Sequence, residues 1–339
     1  MIYIFTKKSS ALQNVFPKDT VFATWQLSKH LPSSSDITYV DISGFSGEEA
    51  KKMLVLVKKI CNDTPWGIID PKGNVRDPAL LFIEGASDYL GQGYFKDDKK
   101  IDAKRTTAVS AWRKVLMRVP ETQDVLEPIS SEDGFLKSGV KLPAANTFPG
   151  WKKMQSVKAL PFYLLYCSLQ GKTALDMRLQ EKALANVYRK FHSILTNNFK
   201  EGDAQLWMDS GKDCLFLLPP KSQCVSSVIG ACISLILAAP QIVMESFGLN
   251  IPANFIFALH YGMINYKPPG KTGTVVSDAV NSIFHLGSRK AEAGRLTVTG
   301  DLPDASIPAV LQDMFSPCGE FEGRKIWHTK KFFYAKPWM

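Results

Sequence analysis

The chain has 339 residues, 45% of them hydrophobic and 22% charged, and its formal net charge is +9. This is ordinary globular chemistry with length for two domains and a sizeable core, and its basic balance suits anionic partners or solubility alone. The six cysteines (Cys61, Cys167, Cys214, Cys224, Cys232, Cys318) form no C-x-x-C pair and lie mostly in apolar runs, which argues against a disulfide frame or zinc site and for reduced, buried thiols in a cytoplasmic protein.

The opening MIYIFTKK is too short an apolar run for a signal peptide. β-type runs are predicted at Ile2 to Phe5, Val21 to Trp25, Ile37 to Val40 and Trp66 to Asp70. Gly47 to Ile60 predicts an amphipathic helix with Met53, Leu54, Leu56, Val57 and Ile60 on one side and lysines on the other. Asp77 followed by Pro78 opens a short helix, and Gly85 to Leu90 leads into a last strand. Strands alternating with helices imply a doubly wound parallel sheet.

This amino-terminal stretch, residues 1–97, resembles a response-regulator receiver domain. Gly85-Ala-Ser-Asp-Tyr-Leu90 is similar to the family's GAdDYl, and Val40-Asp41-Ile42 with Gly47-Glu48-Glu49 is similar to its phosphoacceptor site and following helix. The resemblance makes Asp41 the candidate phosphoacceptor. It also requires an acidic pair for Mg²⁺ after the first strand, where Thr6-Lys7-Lys8 stands, and a lysine where Gln92 stands. Without those charges an aspartyl phosphate lacks stabilisation, so a pseudo-receiver used for docking is expected.

Residues 98–155 are expected to be a connector. Lys99, Lys100, Lys104, Arg105, Arg113 and Lys114 surround Trp112. They suit nucleic-acid phosphates, but a solvated helix face is the preferred reading. Pro120, Pro128, Pro143 and Pro149 signal turns and loop.

From residue 156 to 339 a second domain is expected. Leu160 to Leu169 predicts a buried strand, and a helix is predicted from Thr173 onward on Leu175, Leu179, Leu184, Val187, Phe191, Ile194 and Leu195. Gln205 to Met208 and Cys214 to Leu218 predict a hairpin around Asp209 to Asp213. Ser222 to Met244 carries no charge, but its serines, Gln241 and Pro240 favour a buried core or dimer-interface helix over a membrane span. Asn254 to His260 predicts a strand. The run Gly273 to Thr299 predicts turn, helix, turn and strand, with Val280, Ile283, Phe284 and Leu286 on the helix's apolar side. The order β-α-ββ-α-β is that of a ferredoxin-like core.

Over Leu160 to Pro303 this domain resembles class III adenylate/guanylate cyclases. Leu164 to Leu175 is similar to the family's lfaDIvGFTal through Gly171, Thr173, Ala174 and Leu175, the turn Ser210-Gly-Lys-Asp213 to its iGDg hairpin, and Ala258-Leu-His-Tyr-Gly262 to its glHtG. The run with Asn281 is similar to its aVNxAxR segment. The resemblance implies a nucleotide pocket between two such domains, and hence a homodimer. It implies two divalent cations, Mg²⁺ or Mn²⁺, on two carboxylates, with an Asn and an Arg on the triphosphate. Here Ser168 and Lys212 take the two metal positions, with Asp213 one residue further. Asn281 is kept and His285 stands for the Arg. The candidate nucleotide-pocket residues are therefore Ser168, Lys212, Asp213, Thr274, Asn281 and His285. No catalytic residue and no cofactor are assigned.

The leading expectation is a cytoplasmic pseudoenzyme in signalling. It would act by dimerising, by binding a protein partner or by holding a nucleotide. The alternatives are an active cyclase that holds its metals through Asp209 or Asp213, and a basic nucleic-acid-binding protein, the less favoured class. Gly171-Lys-Thr and Gly270-Lys-Thr are not P-loops, because Tyr166 and Asn265 stand where the earlier glycine is needed. His30, His192, His260 and His328 lack ligand spacing.

Overall fold

The computed structural model describes residues 1–23, 27–96, 100–117, 139–143, 148–154, 157–170, 175–177, 179–270 and 277–331. Thr274, Lys99, Lys172, the Gly171-Thr173-Ala174 motif and most of the proline-bearing stretch lie outside these residues. The chain forms two compact units, Met1–Glu121 with Leu237–Pro252, and Thr122–Ile236 with Ala253–Lys331.

In the first unit, strands β1 (Ile2–Phe5), β2 (Val21–Ala23), β3 (Ile37–Asp41), β4 (Trp66–Asp70) and β5 (Asp88–Gly91) form one parallel sheet of order β2-β1-β3-β4-β5. This is the order of flavodoxin-like doubly wound sheets. Helix α1 (Gly47–Ile60) starts on a capping box. Ser46 accepts from the Glu49 amide, and the Glu49 carboxylate accepts from the Ser46 amide at 2.8 Å. Its buried Met53 and Val57 pack on one sheet face with Leu81 and Phe82 of α2 (Pro78–Ile83), which Asp77 caps. The opposite face is covered by Leu12 and Phe16, by Tyr94 of α3 (Gln92–Lys96) and by Val109 of α4 (Ala103–Met117). Short 3₁₀ turns stand after β1 and β2 in place of full helices.

The expectation of a solvated basic face around Trp112 is met at the exposed Lys100 and Lys104 and corrected at Trp112 and Arg113. Trp112 and Arg113 are buried, and Arg113 donates to the carbonyls of Gly85 (3.0 Å) and Asn62. Carbonyl partners are what allow a guanidinium to leave water.

The second unit holds a seven-stranded sheet of order β11-β12-β10-β9-β6-β8-β7. Its strands are β6 (Val157–Leu169), β7 (Gln205–Asp209), β8 (Asp213–Leu218), β9 (Phe255–Tyr266), β10 (Arg295–Thr299), β11 (Phe315–Phe321) and β12 (Arg324–Thr329). β6 runs antiparallel to β8 and β9, and β10 runs parallel to β9. Helix α5 (Glu181–Asn198) lies on one face, where Phe191 stacks on Phe255 and Phe199 meets Phe216 edge-on. On that side the second long helix, α6 (Ser222–Leu237), crosses Gly202 so closely that a Cβ there would collide with Val228. Helix α7 (Asp278–Arg289) covers the other face with Ala279, Val280, Ile283 and Leu286 against Phe162, Leu164 and Tyr166. This is the expected β-α-ββ-α-β series with an added β11–β12 hairpin.

Two helices differ from expectation. α5 begins at Glu181 because Gln180 is extended (φ −66°, ψ 152°), which separates it from the short turn at Leu175. The uncharged run from Ser222 is not one helix. It bends by 60° after Leu237, and the segment from Ala239 to Ser246 belongs to the first unit, where Met244 packs on the α3–α4 side. Its apolarity is used in two different cores. Among the described residues no single helix is long and apolar enough to cross a membrane.

Candidate functional site

Directly opposed residues on neighbouring strands point to the same face of a sheet. Ser168 near the end of β6 stands opposite Asp213 at the start of β8. Two residues back along β6, Tyr166 shares that face and donates its O–H to Asp213 Oδ1 at 2.9 Å. Burial first, and then the Asp213 carboxylate, push the Tyr166 phenol well up, so it stays a donor. The Tyr166 ring meets Phe284 of α7 edge-on at 5.8 Å. Gly287 is required beside it, because a Cβ there would lie inside the ring.

Lys212 does not stand opposite Ser168. It lies in the β7–β8 turn and pairs with Asp176. Asp209 stands opposite Cys214, so it faces the other side of the sheet from Asp213 and pairs with His192 Nδ1 at 3.1 Å. Asp209 and Asp213 therefore do not converge. On α7, Asn281 is exposed, and His285 Nδ1 lies 2.8 Å from Glu322 Oε1 in the β11–β12 turn. Within one chain these two residues do not join the Ser168–Asp213 group.

The donor set at Ser168 is one hydroxyl and one carboxylate, and that carboxylate already accepts from Tyr166. A pair of divalent cations needs at least two carboxylates, so these residues do not fit it. Among the described residues no group of three or more His, Cys, Asp or Glu side chains is placed to hold a metal.

A cavity of about 640 Å³ opens where β9 meets the first turn of α7, lined by residues that include His260, Gly262, Asp278, Asp301 and Arg324. Gly262 lets the helix approach, since a Cβ there would come within 2.6 Å of the Ala279 Cβ. His260 is buried, its Nδ1 2.9 Å from Thr299 Oγ1 and 3.7 Å from Asp301. Burial, opposed by Asp301, lowers its pKa to about 4, so the ring is neutral at pH 7. Arg324 closes the group with 2.8 Å to Asp301 and 3.2 Å to Ser282.

No protein-family model matches the chain, and no curated protein matches it in sequence. Among solved structures it is similar to the guanylyl cyclase Cya2 at 15% identity, over 54% of this chain and 98% of that one, with a TM-score of 0.43. The adenylyl cyclase CyaB from P. aeruginosa matches at 13% identity, over 51% and 96%, with a TM-score of 0.42. The guanylate cyclase domain of RhGC from Catenaria anguillulae, in complex with GTP, matches at 11% identity, over 50% and 96%, with a TM-score of 0.41. Values of this size say nothing about the chemistry of this chain.

In the first unit, Asp41 is buried at the end of β3. Its Oδ2 accepts from Thr6 Oγ1 at 2.6 Å and its Oδ1 from the Ser43 amide at 2.9 Å. Lys7 lies 3.1 Å from Glu49 and 4.6 Å from the Phe45 ring centroid. At the end of β4, Asp70 accepts from the Val75 amide at 2.8 Å and from the Tyr89 hydroxyl at 3.1 Å.

Tyr166 and Asp176 escaped the sequence reading. Tyr166 could have been found, because period-two alternation puts it on the face of Ser168 and the small Gly287 marks a close approach on α7. Asp176 leaves no local signal.

Proposed function

We propose that this chain is a regulatory pseudoenzyme: a cyclase-type domain with a receiver-like domain, which does not cyclise nucleoside triphosphates and acts by self-association or by binding a protein partner. A nucleotide is a candidate ligand of the cyclase-type unit. The observation that carries the reading is the Ser168–Asp213 pair, in which a buried hydroxyl faces a carboxylate already held by Tyr166.

Attack of a 3′-hydroxyl on an α-phosphorus needs the oxygen activated and the pyrophosphate charge neutralised. Lys212 is engaged by Asp176, and His285 offers no bidentate fork and is tied to Glu322. The same logic applies to Asp41. The hydroxyl of Thr6 and the Ser43 amide donate to its oxygens, and Thr6-Lys7-Lys8 stands where the acidic pair for a cation would be needed.

The test is incubation of the purified full chain with ATP or GTP and Mg²⁺ or Mn²⁺. No cyclic nucleotide above a buffer control is expected; turnover that disappears in Asp213→Ala would overturn the proposal. Acetyl phosphate is expected to leave the protein's mass unchanged. A phosphoryl adduct lost in Asp41→Asn would remove the receiver part of the reading.

A further inference from the structure

The face of the second sheet turned away from Ser168 carries a row of chemistry that the proposed function does not use. Cys167 on β6 stands directly opposite Cys214 on β8, and Cys214 stands directly opposite Asp209 on β7. The three side chains therefore line up on the α5 side. Cys214 Sγ lies 3.8 Å from the Cys167 carbonyl oxygen, and both thiols are fully buried. From α5, His192 reaches down to this row. Its Nδ1 is 3.1 Å from Asp209 Oδ2, which sets the ring beside the residue opposite Cys214, and its buried Nε2 makes no hydrogen bond among the described residues.

We infer that Cys167 and Cys214 are a peroxide-oxidised thiol pair, with His192, oriented by Asp209, as the base that serves Cys214. The geometry suits a disulfide. Directly opposed residues of antiparallel strands have Cα atoms roughly 4.5–5.5 Å apart. A disulfide accepts about 4.4–6.8 Å. The bond would join β6 to β8 without moving either strand.

The order of steps follows from the partners. His192 takes the Cys214 proton, and the thiolate sulfur attacks one peroxide oxygen. An S–O bond forms and the O–O bond breaks. The departing hydroxide takes the proton from His192 and leaves as water. Cys167 then attacks the sulfenic sulfur; the S–S bond forms, the S–O bond breaks, and the leaving hydroxide takes the Cys167 proton as a second water. Two thiols lose two electrons in total, and one hydrogen peroxide gains them.

Entry is from the sheet edge. β7 is the edge strand, its pairing with β8 shifts register between Leu206 and Met208, and Asp209 is exposed. Irregular edges open at lower free energy than the centre of a sheet. Cys232 on α6 is a third buried thiol near Cys167 and is the internal competitor. Cys224 and Cys318 are half-buried and serve as references for non-selective oxidation.

The experiment uses the full chain, reduced and desalted, treated with hydrogen peroxide, alkylated and digested without reduction for mass spectrometry. A Cys167–Cys214 linked peptide pair is expected, removed by dithiothreitol, with two of the six thiols lost from the alkylation count. His192→Gln is expected to slow its formation about tenfold while leaving the product the same. In Cys167→Ser, Cys214 is expected to stop at a sulfenic acid trapped by dimedone; should that variant not fold, the wild-type peptide map decides alone. Cross-linking of Cys167 to Cys232, or oxidation of Cys224 and Cys318 while Cys167 and Cys214 stay fully alkylatable, would overturn the inference. An unchanged rate in His192→Gln would remove His192 from it.

Discussion

At Gly287 two effects oppose each other. Alanine in a helix interior is favoured over glycine by about 1 kcal/mol. Here the added methyl would enter the ring of Tyr166, which cannot swing away because α7 lies above it and Asp213 holds its hydroxyl. Overpacking of this kind costs roughly 1–3 kcal/mol or more. The collision wins, and Gly287→Ala is expected to lower stability in urea titration of the full chain by about 2 kcal/mol. His260 sets a pH dependence whose sign is fixed by burial. Its folded pKa of about 4 lies below the ordinary 6.5, so the unfolded chain binds the proton first. The stability it contributes is complete above about pH 6.5 and is lost as pH falls toward 4. On the order of 2 kcal/mol should disappear between pH 7.5 and pH 5. His260→Gln is expected to flatten that part of a melting-temperature profile, and an unchanged slope would count against the buried neutral ring.

Among the elements, α4 carries the most instructive ion pair. Arg105 donates to both carboxylate oxygens of the fully buried Asp88, at 2.6 and 3.0 Å, and reaches Glu245 at 3.1 Å. Burial raises the Glu245 pKa while Arg105 lowers it. Removing the guanidinium strands a carboxylate on β5 that, among the described residues, keeps the Tyr39 hydroxyl and its neighbour's amide as donors. Loss of one partner of a buried pair costs about 3–5 kcal/mol, so Arg105→Ala is expected to reduce stability by roughly 3 kcal/mol. Chemical denaturation checks this, and Glu245→Gln should cost less than half as much. The elements the sequence revealed best are those with local instructions: α1 starts and ends where its capping box, apolar spacing and terminal lysines put it. Those it misplaced depend on distant partners. The run from Ser222 looks like a single helix because apolarity does not say which core will receive it, and Arg105 and Arg113 look solvated because their carbonyl and carboxylate partners lie far along the chain. The candidate site divides in the same way. The turn carrying Lys212 and Asp213 was visible, but strand register alone decides that Asp213 faces Ser168 while Asp209 faces Cys214.

At the scale of the molecule, the second unit takes in residues that precede its sheet. Phe148 and Met154 are buried in the core with Phe162, Trp207 and Tyr266, and Trp151 stacks on Phe162 and donates to the Asp203 carbonyl at 2.7 Å. They cover part of the face where α7 lies, which bears directly on self-association. The proposal that a second copy binds this unit expects the full chain to sediment as a dimer at micromolar concentration, with dissociation on dilution. A monomer across the whole range would mean that residues 148–154 already occupy the surface, and self-association would be withdrawn.

The membership of Leu237–Pro252 in the first unit has a genealogical consequence. No single recombination breakpoint can divide a gene of this design into two complete modules, because the coding sequence of one is interrupted by that of the other. A relative descended by loss of the first unit is expected to have replaced the bent segment after α6 with a short turn into β9. A relative that keeps Met244 and Glu245 is expected to keep Arg105 and Asp88 as well, so that these four positions travel together through a lineage while the basic residues exposed on α4 drift.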